Sequence, residues 1–212
     1  MGRFGADPRT FFDWVYHDVP PWDIGGPQPA MVALLEAFPP AAPVLDVGCG
    51  SGDLSIFLAS AGLDVVGIDF VSAAIDEANR KARELPVEAA LKLEFKVADV
   101  FKPWLVQRQF RTIVDSGFLH LLTPEETDRF ITAMSSVLLP GGRYYLHEFA
   151  TEFEVPNTPR QVTEDELRTR FTEKQGWRIL EVRPGEFLNR VAPVPAIVAC
   201  VEKVAPSGSG IP

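Results

Sequence analysis

Residues 44–54 read VLDVGCGSGDL, with glycines at 48, 50 and 52 and carboxylates at 46 and 53. Glycines at this spacing let a backbone pass close to a ligand between a strand and a helix. A dinucleotide fingerprint needs G-x-G-x-x-G. Gly48 and Gly50 fit it, but Asp53 stands at the third position. Its carboxylate falls near a helix start, where a pyrophosphate would otherwise bind. Asp46 puts a second negative charge there. Two carboxylates repel a phosphate and suit a cation. Asp69 ends the run VVGIDF, 21 positions after Gly48. An acid at that distance can accept hydrogen bonds from both hydroxyls of a ribose.

These residues need elements to carry them. PVLDVG, DVVGIDF, LEFKVADV, RTIVDSG and GRYYLHEF read as five strands. DLSIFLASAG, SAAIDEANRKAREL and TPEETDRFITAMSSVL read as the helices between them. Gly62 stops the first of these helices, Ser72 caps the second, and Thr123 with Pro124 starts the third. Helices over 7–17, capped by Asp7, and over 28–38 come earlier. A last helix, TEDELRTRFTEKQGW, opens on a Thr163/Glu166 capping box. RILEVRPGEF and PAIVACVEKV pair as a final antiparallel set. Continuous apolar strands alternating with helices predict a mainly parallel α/β sheet covered on both faces. Ligands of such sheets bind beyond the carboxyl ends of the strands. That places Asp46–Gly52, Asp69, Asp99, Asp115 and His147–Glu148 at one edge.

The bulk composition narrows the partners. The chain has 212 residues, enough for one sizeable core, and a formal net charge of −9. An acidic surface disfavours nucleic acid. No apolar run reaches a membrane span, and the N-terminus has no apolar signal core. Cys49 and Cys200, the only cysteines, predict a reduced, cytoplasmic protein. The division expected is an N-terminal helix and lid over 1–30, a main domain over 31–204 and a disordered tail over 205–212.

Read in order, VLDVGCGSG, GIDF, VADVF, IVDSGFLHLL and LLPGGRYYLHEF resemble the class I S-adenosylmethionine-dependent methyltransferases. The resemblance covers residues 40–150. It implies a doubly wound, Rossmann-like sheet of seven strands ordered 3-2-1-4-5-7-6, strand 7 antiparallel. It implies S-adenosyl-L-methionine as cofactor. Asp46 and the loop of Gly48, Cys49 and Gly50 would face its methionyl part, with Asp53 and Leu54 following. Asp69 would hold the ribose, with Phe70 beside the adenine. Asp99 would meet the adenine amino group, with Val100 alongside. Asp115 and Ser116 would line the floor beneath the sulfonium. A cofactor bearing a sulfonium and an ammonium agrees with the acidic cleft.

The proline-rich segment PPWDIGGPQP, residues 20–29, is similar to one in the thiopurine and halide/thiocyanate methyltransferases and in bacterial enzymes that methylate small phenols, quinones and heterocycles. There it caps the cofactor. Trp22 is the matching residue, its face suited to a cation–π contact with the sulfonium. Gly26 stands where an arginine is common. His120, just past the fourth strand, falls where this group lines its acceptor pocket, and its imidazole can take a proton near pH 7. His147 is a rival; Tyr16, a second catalytic candidate, faces the cofactor end, and His17 lies by the mouth. Phe11, Phe12, Phe118 and the 149–160 loop complete a lipophilic acceptor pocket, in which Arg160 can pair with an acidic substrate. Asp115 has no second ligand in SGFLHLL, so no metal is expected. The expectation is methyl transfer, by in-line displacement without metal, to an O, N or S nucleophile of a small aromatic or heterocyclic acceptor. A halide or thiol methyltransferase, a non-catalytic cofactor-binding module and a nicotinamide oxidoreductase are the alternatives. The oligomeric state, monomer or dimer, stays open.

Overall fold

The computed structural model describes residues 8–102, 108–154 and 158–204. The expected Asp7 cap, the tail from 205 and part of the 149–160 loop lie outside the described residues. Seven strands form one sheet in the order β3-β2-β1-β4-β5-β7-β6. They are β1 (Val44–Val47), β2 (Val65–Asp69), β3 (Leu93–Val97), β4 (Phe110–Ser116), β5 (Leu138–Phe149), β6 (Trp177–Phe187) and β7 (Val194–Lys203). β7 runs antiparallel to both neighbours, and the pairs among β1–β5 are parallel. The strand order and the reversed β7 agree with the expected sheet.

β1 and β2 are buried at every position because helices cover both faces. On one face Val44, Val65, Val114 and Tyr145 pack under α2 (Pro29–Ala37) and α3 (Asp53–Ser60). On the other, Leu45, Ile68, Ile113 and Tyr144 pack with Phe130 and Met134 of α6 (Pro124–Val137) and Leu167 of α7 (Glu164–Arg170). Asp46, next to Leu45, therefore points to the α3 side. Asp115 and Glu148 share the face of Ile113 and Tyr144. A third cluster caps the strand ends: Phe12 of α1 (Pro8–Val15) with Val71 and with Ala74 of α4 (Ser72–Ala82), against Tyr16, Trp22, Phe70 and Leu121.

Local expectations fared unevenly. Thr123 and Glu126 form a full capping box at α6. At α7 Thr163 accepts the Glu166 amide, but the Glu166 carboxylate is taken by Arg160. That helix ends at Arg170, well before Trp177, because Phe171 and Trp177 must both turn under the sheet. Ser72 is the first residue of α4 and not its cap. The chain is turned there by Asp69, which accepts the Val71 amide at 2.9 Å. A one-turn helix, α5 (Val87–Ala90), is too short to show a period in sequence. Among the described residues no helix is long and apolar enough to cross a membrane.

Candidate active site

The carboxyl end of β1 turns into the glycine loop. Gly48, Gly50 and Gly52 have φ of 64°, 53° and 86°, which only glycine adopts without strain. A Cβ at Gly52 would sit 2.6 Å from the Phe95 ring and 2.9 Å from Ala78. The loop is stitched to β2: Cys49 N–H donates to the Ile68 carbonyl at 2.9 Å, and Gly50 N–H to Asp69 at 3.0 Å. Asp69 thus spends one lone pair of each oxygen on Gly50 and Val71. Ala98 N–H donates to the Asp69 carbonyl at 2.8 Å, bringing Asp99 alongside. Phe70 lies edge-on to Phe12, and buried Val100 lies behind Asp99. Residues from three strand ends therefore meet at one cradle.

The cradle is electrostatically primed for a cation. Burial pushes the Asp46 carboxyl up to about 7, against a 2.6 Å hydrogen bond from Ser55, with Asp115 and Asp69 adding repulsion. Burial also raises Asp69, and raises the Cys49 thiol further from ionisation. A bound cation relieves each of these acids. The donor set thus fits S-adenosylmethionine better than a pyrophosphate.

Two of the expected cofactor residues do other work. The Asp53 carboxylate is held by Lys81 at 2.8 Å and by Ser51 at 3.2 Å. Leu54 packs into the core beneath α3. Ser51 also donates to Asp23 at 2.7 Å, and Lys81 reaches Asp23 at 3.5 Å. Asp23 follows Trp22, so this network fastens the proline-rich segment to the glycine loop. The segment is pinned on its far side as well. Gln28 exchanges hydrogen bonds with Leu188 at 2.8 and 2.9 Å, and Arg190 N–H donates to the Pro21 carbonyl at 2.8 Å. Neither Asp23, Lys81 nor Gln28 was singled out from sequence. The Asp after Trp22 was the only available signal.

Trp22 packs edge-on against Phe12 and Tyr16, with centroids 6.4 and 6.3 Å apart. The Tyr16 hydroxyl stands over the loop, 2.7 Å from where a Gly50 Cβ would be. Burial and the nearby Asp69 charge push Tyr16 well above its ordinary value. It is therefore a protonated hydroxyl over the cradle near neutral pH. Phe12 is a buried core residue of the cap, with Phe11 against its edge. Phe118 instead reaches the cradle, its ring 2.7 Å from a Gly48 Cβ position.

The far wall is built at the ends of β4 and β5. Asp115 is fully buried and faces the α6 side, accepting from Phe118 N–H and from the Tyr144 hydroxyl, each at 2.8 Å. Strand alternation turns it away from the cofactor floor, where it was expected. Ser116 stays half-buried, 3.5 Å from His147 Nδ1. His147 is fully buried, stacked on Phe187, with Nε2 3.1 Å from the Glu186 carbonyl. Burial holds it down at about 3, so it is neutral and structural and does not line an acceptor pocket. Arg160 is a further correction. All five of its N–H groups are used, on Leu122, Gln161, Thr127 and both Glu166 oxygens. It pins the loop to α6 and α7 and has no donor left for an acidic substrate.

His120 sits in a 3-10 turn, Leu119–Leu121, between the cap and this wall. Its Nδ1 is 2.8 Å from Glu148, and its ring stacks on Phe149 at 4.5 Å and 7°. Phe187 meets it edge-on at 6.4 Å. Phe149 opens the 149–160 loop expected at the acceptor pocket, whereas Phe187, at the end of β6, carries no signal in sequence. Burial pushes Glu148 up to about 7.

These shifts set a pH dependence. Asp46 and Glu148 bind protons in the folded chain between about pH 4 and 7 that the unfolded chain releases. Their contribution is present at low pH and lost as pH rises through 7. His147 acts oppositely, costing stability as pH falls from 6.5 towards 3. Burial raises Asp69 and Asp115 as well, so the acids outweigh the one histidine and the ligand-free protein should lose stability between pH 5.5 and 7.5, seen as a falling Tm. Scanning calorimetry across that range checks it; a rising Tm would contradict the assignment.

Residues 44–142 match the family described as methyltransferase domain. The chain is 30% identical, over 79% of its length and 73% of the relative's, to 2-heptyl-1-hydroxyquinolin-4(1H)-one methyltransferase of Mycobacteroides abscessus. It is 29% identical to probable thiol methyltransferase 2 of Arabidopsis thaliana, over 69% of this chain and 64% of that one. A solved structure described as "Conversion of a Disulfide Bond into a Thioacetal Group during Echinomycin Biosynthesis" has a TM-score of 0.78 and 29% identity, covering 92% and 93% of the two chains.

Proposed function

The chain belongs to the class I S-adenosylmethionine-dependent methyltransferases, and we propose that it methylates a hydroxyl oxygen on a small, flat heteroaromatic acceptor. The observation that carries this reading is the buried His120–Glu148 pair, set among Phe149 and Phe187. An aromatic wall suits a flat ring, and a histidine backed by a carboxylate suits a nucleophile that must lose a proton. The similarity to a hydroxyquinolinone methyltransferase points the same way.

S-adenosylmethionine supplies, when bound, a methyl group on a sulfonium, which an acceptor lone pair displaces to leave a neutral thioether. Asp69 and Asp99 would hold its nucleoside, Asp46 and the glycine loop its methionyl end, and Tyr16 and Trp22 would close over it. The latch of Asp23, Ser51 and Lys81 keeps that cover shut and water out. Facing the acceptor, His120 with Nδ1–H on Glu148 offers Nε2 to the hydroxyl proton. Glu148 then stabilises the imidazolium.

An acceptor panel that follows S-adenosylhomocysteine tests the reading, comparing 1-hydroxyquinolin-4-one, a phenol and a small thiol. His120→Asn should slow the hydroxyl acceptors by about 100-fold and the thiol far less, because a thiol releases its own proton more readily. Equal slowing of all three would remove His120 as the base. Turnover of the thiol alone would favour the thiol reading that the Arabidopsis relative suggests.

A further inference from the structure

The Glu148 carboxyl is fully buried, and its Oε2 accepts the backbone N–H of His120 at 3.1 Å beside the ring Nδ1 at 2.8 Å. Its Oε1 is fully buried and makes no hydrogen bond among the described residues, the Leu119 amide near the carboxyl included. A buried acceptor in that state costs ~1–3 kcal/mol. What lies against it is the carboxyl of Asp115, on the same face of the neighbouring strand and within hydrogen-bonding contact. Asp115 already receives Phe118 N–H on Oδ1 and the Tyr144 hydroxyl on Oδ2. Two ionised carboxylates cannot share such a place; one proton between them supplies the missing donor.

We propose that Asp115 and Glu148 hold a single proton between them at Glu148 Oε1, and that this buried pair is the positioning element that fixes His120 as its Nδ1–H tautomer. With Asp115 carrying the proton and donating it to Oε1, Glu148 stays ionised and its Oε2 takes both N–H groups of His120. Phe149 N–H also donates towards Nδ1, at 3.3 Å; this is longer than the 2.8 Å contact with Glu148, and the Nδ1–H tautomer takes that acceptor from the Phe149 amide. Were the proton instead on Oε2, Glu148 would donate to Nδ1 and the basic nitrogen would face inward. The place of one proton therefore decides which ring nitrogen is basic.

The surrounding charges favour this state. Tyr144 from β5 donates to Asp115, and Asp46 from β1 adds repulsion through the sheet. Arg160, whose backbone N–H donates to the His120 carbonyl at 2.9 Å, draws negative charge towards Glu148. His147 is neutral. Burial raises both acids of the pair; the Glu148 charge raises Asp115 further, while the hydrogen bond from Asp115 favours the Glu148 carboxylate.

The role assigned to the tautomer rests on His120 taking the acceptor's proton; the shared proton does not. The experiment separates them. Infrared difference spectra of the ligand-free protein near neutral pH, wild type minus variant, should contain the carbonyl stretch of a buried protonated carboxyl for both Glu148→Gln and Asp115→Asn, the Asp46 band cancelling because both variants keep it. No such difference band in either variant overturns the pair. Nitrogen NMR of the wild-type His120 ring reads the tautomer directly, whether or not a variant folds; a proton on Nε2 overturns the proposal. The pH profile for 1-hydroxyquinolin-4-one then tests function, with S-adenosylmethionine affinity as the folding control. Glu148→Gln keeps the hydrogen bonds but moves the charge onto Asp115. Its acid limb should shift down by about one unit and its kcat fall about tenfold or more. Asp115→Asn leaves a carboxylate beside His120, and its limb should stay near that of the wild type. Equal losses with unmoved limbs would make the pair merely structural. A shared proton with the expected tautomer, but no effect of His120→Asn on any acceptor, would overturn the base and leave the pair standing.

Discussion

Replacing Asp69 by alanine should weaken S-adenosylmethionine binding by a factor of about 100 or more. Each charge-assisted hydrogen bond to a ribose hydroxyl is worth ~1.5–3 kcal/mol, and two would be lost together. The carboxylate also holds the Gly50 and Val71 amides, so its removal loosens the cradle that receives the rest of the cofactor. Asp69→Asn separates the two effects. It keeps one acceptor for the backbone and removes the charge, and should cost about tenfold. Both variants should fold, because the core under β2 is untouched. Titration calorimetry with S-adenosylmethionine and S-adenosylhomocysteine reads the difference. An affinity within threefold of wild type in the alanine variant would end the ribose assignment.

The second large effect is expected far from the cradle. Arg160→Ala removes five hydrogen bonds from one guanidinium that is only 11% exposed. Glu166 keeps Arg170 at 3.0 Å, which offsets part of the loss. A destabilisation of ~3 kcal/mol should follow, lowering Tm by about 5–10 °C. Leu122 and the turn carrying His120 would lose their tether, so methyl transfer should fall while S-adenosylmethionine still binds. Urea unfolding and calorimetry on one preparation check both halves. Were Arg160 instead a ligand for an acidic acceptor, the variant would keep its Tm and show only a raised KM for anionic acceptors.

The contrast between these two residues shows what a sequence exposes. Asp69, the glycines and Asp99 lie at the ends of short apolar runs, and strand alternation brings such ends together in any parallel sheet. Arg160, His147 and Asp115 were misjudged because their partners are set by packing between distant segments. Whether a strand-end acid faces ligand or core depends on the strand's register, which one residue reverses. Asp115 is the case in point: it shares a face with Tyr144 of the next strand, and Tyr144 claims its carboxylate. The cap was half legible. Prolines and Trp22 marked it as a cover, but Asp23 meets Ser51 and Lys81 only after α3 and α4 are docked. Phe149 and Phe187 stand beside His120 because β5 and β6 flank the reversed β7, an arrangement set by strand order and not by any local motif.

The hydrogen bonds between Gln28 and Leu188 join positions 160 residues apart. Loop closure over such a distance costs entropy that local contacts do not repay, so these bonds belong to a late stage of folding. The cradle itself is made of residues from the first half of the chain. As the polypeptide emerges, it can form that acidic hollow before the β6–β7 hairpin that pins the cover exists. The cover proposed for the cofactor is thus complete only in a chain whose C-terminal strands are in place.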